Sequence, residues 1–268
     1  VNKIIIWLFA LTLLTSCSLF TRKGSWGKNA LWPIKGSRVT DAIKKNAASA
    51  HVWVPLIGAG ITYWGDYDKK ISDWAYNENI FFDSHDDSDA WSDNLNSYLI
   101  IEMFTLPLLT PSLEEGGKFK DWAWNKTKGY VVLGIATRVP DYAHDQLAVS
   151  FKRQRPNKED YRSFPSGHAT KAGTSSMMTS KHLDAIPMDN NLRFGLKTVN
   201  TMAAAGVMYA RVENKAHYPS DVLVGYSLGA FLSGVFYDSL INYDPEHPET
   251  FAIIPTKNQT SFQYTYGF

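Results

Sequence analysis

Cys17 is the one cysteine in 268 residues, so an internal disulfide cannot brace this chain. A surplus of either charge is also missing, because 27 Lys and Arg stand against 26 Asp and Glu. That balance excludes the strongly basic footprint of a nucleic-acid binder. Mean hydropathy is −0.24, which excludes a chain made mostly of membrane spans. Internal repeats and low-complexity tracts are absent, which excludes a solenoid or an array. What remains is enough chain for one large domain or two small ones around a sizeable core.

The unbroken apolar run near the start is short. Lys3 precedes the apolar residues 4–11, and the segment ends in Leu14-Thr15-Ser16-Cys17. Residues 1–16 therefore read as a targeting segment, and the last four residues resemble a bacterial lipobox. The resemblance implies cleavage before Cys17 and lipid on its sulfur; a plain signal peptide or an anchor helix is the alternative. Ser18 in place of an acidic residue resembles lipoproteins sent to the outer membrane. The expected location is the bacterial envelope, lipid-anchored at the outer membrane and facing the periplasm. Residues 17–40 are rich in Gly, Ser, Lys and Arg and read as a tether followed by a loosely packed arm.

Residues 41–245 carry the helical periodicities. Asp41 is expected to cap a helix that begins at Ala42. The apolar stretch 47–64 reads as a buried helix rather than a membrane span, interrupted near Pro55 or at Gly58 and Gly60. Asp83, Asp86, Asp87, Asp89 and Asp93 cluster without the turn glycine and terminal glutamate of a calcium loop, so a solvated loop with helix caps is expected. Residues 94–109 form another helix candidate. From Asp121 a helix is expected to run, with a kink at Pro140, as far as Arg155. Arg138, Asp141, His144 and Asp145 on it read as surface or paired charges, with a supporting layer behind a pocket as the alternative. Residues 191–211 and 219–240 make the last two long helices, and 222–236 is read as core despite its apolarity. Residues 246–268 form a tail in which aromatic residues alternate with polar or small ones from Phe262 to Phe268, and a terminal β-hairpin fits that period.

The chemistry concentrates in two stretches, Phe164-Pro165-Ser166-Gly167-His168 and residues 210–221. Pro165-Ser166 and Pro219-Ser220 read as helix starts, whose free backbone N–H groups make a ready anion site. Gly167 lets a phosphate approach the backbone. Arg155 and Arg211 supply planar cationic forks that match phosphate oxygens. His168 and His217 could divide attack and proton transfer between them, and Asp221, four residues on, is close enough to accept a ring N–H from His217.

Arg155-Pro156, then Pro165-Ser166-Gly167-His168, then Arg211 with His217 six residues later and Asp221 four after that, resemble the three blocks of the type-2 phosphatidic acid phosphatase superfamily. That superfamily includes lipid phosphate phosphatases, class A acid phosphatases and vanadium haloperoxidases. The resemblance implies an all-α helical bundle. It implies His217 as nucleophile, His168 as general acid and base, and Asp221 as the group that orients His217. Ser166, Gly167, Arg155 and Arg211 would hold the phosphate.

Three positions depart from the pattern. Ala148 stands where the family has a lysine, and Lys152, sharing a helical face with Ala148 and Arg155, is expected to substitute. Ala210 replaces a serine, and Lys215 replaces a glycine. The expected enzyme is a metal-independent phosphatase with no cofactor. Its substrate would be a lipid phosphate, or alternatively a small phosphomonoester, with the membrane reached through the N-terminal lipid. Two other readings are a vanadium-dependent haloperoxidase and a catalytically silent envelope lipoprotein that binds phosphate head groups.

Overall fold

The computed structural model describes residues 25–31, 33–113, 116–243, 250–255 and 260–265. The targeting segment and Cys17 lie outside the described residues. Among the described residues are eight α-helices: α1 (Gly36–Ala47), α2 (Ala50–Trp64), α3 (Asp68–Glu78), α4 (His85–Thr105), α5 (Phe119–Phe151), α6 (Gly167–Ala185), α7 (Asn190–Glu213) and α8 (Pro219–Ile241). A 3₁₀ turn, Leu106–Leu109, follows α4. Strands β1 (Thr250–Pro255) and β2 (Thr260–Thr265) pair antiparallel, with Thr250 opposite Thr265 and Pro255 opposite Thr260. The expected all-α bundle with a terminal hairpin is the observed architecture.

Helix α8 is the axis of the bundle, packed on by α1, α2, α5 and α6. It is the one described helix long and apolar enough to cross a membrane, and most of its apolar window is buried inside the protein. Helix α6 explains how the bundle closes so tightly. Its first twelve residues are nearly all Ala, Gly, Ser, Thr or Met, and α6 is buried along most of its length. A Cβ on Gly173 would stand 2.0 Å from the Tyr226 carbonyl oxygen, and one on Gly229 would stand 2.0 Å from that of Thr170. At these two positions backbone lies on backbone, which only glycine permits.

Several sequence expectations need correction. The arm ahead of residue 41 is not loose: Trp26 is fully buried, and its indole N–H donates to the Tyr237 hydroxyl at 2.7 Å. Helix α1 starts at Gly36, so Asp41 lies inside it and caps nothing. Helix α2 passes through Pro55 and both glycines without a break. It buries only Val52 and Ala59, while Val54, Ile57, Ile61, Tyr63 and Trp64 are exposed. Only one narrow stripe of α2 meets α8, so the expected core helix is a surface helix with an apolar outer face. Helix α5 also runs unbroken through its proline, Pro140, and stops at Phe151 rather than Arg155. Lys152 ends it in a left-handed conformation, φ 48°.

The acidic side chains of residues 83–93 are exposed and serve a helix start, as expected, but from His85 onward the stretch is helix rather than loop. Ser84 caps α4 by accepting the Asp87 amide at 3.1 Å, and Asp86 and Asp87 occupy the first turn, where carboxylates oppose the helix dipole. Asp89 and Asp93 are therefore carried on a regular helix.

Candidate active site

Two helix ends, a loop and one long helix enclose the site. The N-terminus of α6, the C-terminus of α7, the loop 214–218 and the body of α5 share a pocket of about 440 Å³. Gly167, His168, Arg155, Arg211 and His217 all line it. Ser166 caps α6 and accepts from the Ala169 amide at 3.4 Å, so Pro165 stands before the cap rather than in the first turn. Pro219 is the first residue of α8, and Tyr218, not Ser220, is its N-cap. A backbone hydrogen bond from Ser166 N–H to the Asp221 carbonyl, 3.1 Å, ties the two blocks together.

His217 is almost wholly buried, and its Nδ1 lies 2.7 Å from the Ser163 carbonyl oxygen. A carbonyl can only accept, so Nδ1 carries the proton and Nε2 keeps its lone pair. Burial, followed by the charges of Arg155 and Arg211, holds the ring well below the usual histidine range. It therefore stays a neutral base in a strongly cationic neighbourhood.

Asp221 does not touch His217 directly, as the sequence had implied. Its carboxylate accepts from Arg153 at 2.5 Å, from Ser163 Oγ at 2.5 Å and from the Tyr218 amide at 2.9 Å. The connection runs through Ser163, whose hydroxyl binds Asp221 and whose carbonyl orients His217. Burial pushes the Asp221 carboxyl up to about 6, against the pull of Arg153.

Arg153 is the residue that the sequence motifs did not reveal. Its guanidinium bridges Asp221 and Asp68, the latter at 2.7 Å, and also donates to Ser220 Oγ at 2.8 Å. It stacks over the Tyr218 ring at 4.3 Å. Lys152, by contrast, is exposed and does not line the pocket. The helix stops one residue before it, so the shared helical face on which its substitution rested does not exist. Ala148 is buried, with no charge in its place. Lys215 also stays away from the pocket lining, ion-paired to Asp73 at 2.8 Å and lying over Tyr76.

The acidic stretch on α4 supplies further missed partners. Asp93 receives His168 Nε2–H at 2.7 Å, and Asp89 pairs with Arg211 and accepts from Asn214 at 3.0 Å. A spacing of four residues puts both carboxylates on one helical face, a signal that was in the sequence but pointed to nothing without the fold. Arg155 is held by Asp160 at 2.8 Å and by the Ala216 carbonyl at 3.3 Å. Arg211 Nε is buried and has no acceptor among the described residues. A bound anion would satisfy it.

The comparisons with known proteins agree with this geometry. The family model of the PAP2 superfamily matches residues 131–243, a span that runs from α5 to just beyond α8 and contains every motif residue above. Residues 131–243 are thus similar to the PAP2 superfamily. A crystal structure described as the first transmembrane PAP2 type phosphatidylglycerolphosphate phosphatase from Bacillus subtilis shares the fold, with TM-score 0.50 and 20% identity over 75% of this chain and 94% of that one. No curated protein sequence matches the chain.

The site geometry makes a pH prediction at His168. Burial and then Arg211 lower its pKa from 6.5, while the Asp93 hydrogen bond works the other way. If His168 serves as the general acid it must carry its proton, and kcat/KM is then expected to fall as pH rises through that lowered value. Asp93→Asn removes the raising partner and should move this limb further toward acid. A limb that stays in place in the pH–rate profile would show that His168 is not the titrating acid.

Proposed function

We propose that the protein is a phosphatase that hydrolyses phosphomonoesters, lipid phosphates first among them, through a phosphohistidine intermediate. The observation that carries this reading is His217: a buried neutral imidazole whose Nδ1 is fixed by a carbonyl, leaving Nε2 as the nucleophilic nitrogen in a pocket shared with Arg155, Arg211 and His168. In the first step the Nε2 lone pair forms the N–P bond as the ester P–O bond breaks, and His168 gives its proton to the departing alkoxide. In the second step water attacks phosphorus, His168 takes back a proton, and the N–P electrons return to Nε2. Arg155, Arg211 and the backbone N–H groups at the start of α6 stabilise the charge on the three equatorial oxygens. Asp93 holds His168 through Nε2, so Nδ1 is the nitrogen left for proton exchange. Asp221 and Ser163 position His217. Protein side chains fill every role, so the reading uses no metal.

The match of residues 131–243 to the PAP2 superfamily, and the phosphatase activity given for the structural neighbour, support the reaction class. The lipobox-like residues 14–17 support a lipid anchor on Cys17 that keeps the enzyme at the outer membrane, where a surface-held enzyme meets lipid phosphates at high local concentration.

The test is phosphate release with chelator present, across lipid phosphates and soluble phosphomonoesters. Release is expected to be inhibited by orthovanadate and to sediment with membranes, and Cys17→Ala should make the activity soluble. Peroxide-dependent halide oxidation after vanadate loading, with no phosphate release, would overturn the phosphatase in favour of a haloperoxidase. Phosphate binding without turnover would favour a silent binding protein.

A further inference from the structure

The pocket reaches beyond the groups assigned to phosphate. Its outer part is built from Arg138, Asp141, His144 and Asp145 on α5, with Lys171 on α6. Every lining residue of the whole pocket except Gly167 carries a charged side chain or an imidazole. A volume of about 440 Å³ suits a whole small molecule or head group rather than a lone phosphate. The side of the substrate next to the phosphate must therefore be polar, because no apolar wall exists to receive hydrocarbon.

Pairing within the pocket leaves two cations uncommitted. Arg155 is matched by Asp160, Arg162 by Asp145 at 3.3 Å, and Arg211 by Asp89. Among the described residues, neither Arg138 nor Lys171 has a hydrogen-bonded or ion-paired partner. Asp141 is the remaining acid in this part, and the charges of both Lys171 and Arg138 act on it. Burial raises its carboxyl while those two charges pull the other way, and it makes a hydrogen bond to neither. Two exposed cations on a protein surface are ordinarily just solvated. These two differ because they come from different helices and converge on one cavity with His168 and His217.

We propose that Arg138 and Lys171 form a subsite for a second anionic group on the substrate, so that the preferred substrate is a phosphomonoester whose alcohol part carries a further phosphate, phosphodiester or carboxylate. This assignment rests on the phosphatase reading above. The α5 helix then has two functions along one face: the half near Phe151 leads into the loop that carries Arg153 and Arg155, and the half near Arg138 selects the head group.

Two soluble probes separate the subsite from the reaction. p-Nitrophenyl phosphate carries one anionic group, and fructose 1,6-bisphosphate carries two. The wild type is expected to show the lower KM for the bisphosphate. The double variant Arg138→Ala/Lys171→Ala should raise that KM about tenfold, as expected for two exposed charge contacts together, with kcat and the KM for p-nitrophenyl phosphate nearly unchanged. An equal rise in KM for both probes would overturn the subsite, because it would show only a general loss of positive potential. If neither these probes nor any lipid phosphate is hydrolysed, the phosphatase reading fails on its own, and calorimetry still decides the subsite. Tighter binding of the bisphosphate than of inorganic phosphate, lost in the double variant, supports it; indistinguishable binding overturns it.

Discussion

His217→Ala is expected to lower kcat by roughly 10⁴-fold or more and to abolish covalent labelling from a ³²P-phosphomonoester. The size follows from what the imidazole contributes. It is the only group in the pocket that combines a fixed tautomer, near-complete burial and a free nitrogen. Positioning of that kind accounts for a large part of the barrier reduction in phosphoryl transfer. His168→Ala should behave differently. With p-nitrophenyl phosphate, whose leaving group needs little protonation, the variant should still become labelled but turn over slowly. Circular dichroism of both variants guards against misfolding, since His217 also satisfies the Ser163 carbonyl. Labelling that survives in His217→Ala would remove His217 as the nucleophile.

Arg153→Ala is expected to cost about 3–5 kcal/mol of folding stability, the range for breaking one partner out of a buried charge network. The guanidinium lies between Asp68 and Asp221, whose side chains are 11% and 0% exposed, so its removal leaves two carboxylates facing each other. The loss should appear as a lower midpoint in urea at unchanged slope. A structural role alone would leave the catalytic constants of the folded fraction intact. The Asp221–Ser163–His217 connection predicts more: kcat should fall while KM changes little, and Arg153→Lys should recover stability better than rate, because one ammonium cannot reproduce the fork. A variant that loses stability but keeps its kcat would confine Arg153 to the scaffold.

The part of the site that follows chain order was legible in the sequence. Pro165-Ser166-Gly167-His168 announced a helix start, and Arg211, His217 and Asp221 sit close together in the chain, so local geometry carried them to one place. The parts that were not legible depend on contacts across long sequence separations. Asp93 lies 75 residues from His168, and Asp68 lies 85 residues from Arg153. No local pattern links such pairs, so the exposed acidic run gave no sign that Asp93 binds His168 or that Asp89 binds Arg211. The Lys152 assignment failed for a different reason. It assumed that helical periodicity continues to Arg155, whereas α5 ends at Phe151 and the next residue turns into the left-handed region. Helix ends are set by capping and tertiary contacts, which periodicity does not see. The outer face of α2 misled in the opposite sense, since apolar composition gives no direction of burial.

The contact of α6 with α8 bears on how this enzyme can change over generations. Because Gly173 and Gly229 put main chain against main chain, the half of the site that holds Ser166, His217 and Asp221 tolerates almost no remodelling. The opposite half, from α5, reaches the pocket only through side chains such as Arg138 and His144, and α4 touches the site through Asp93 on His168. Those can be exchanged one at a time without disturbing a backbone contact. Heritable change in the pocket lining is therefore channelled to one wall, while the groups on the other remain fixed.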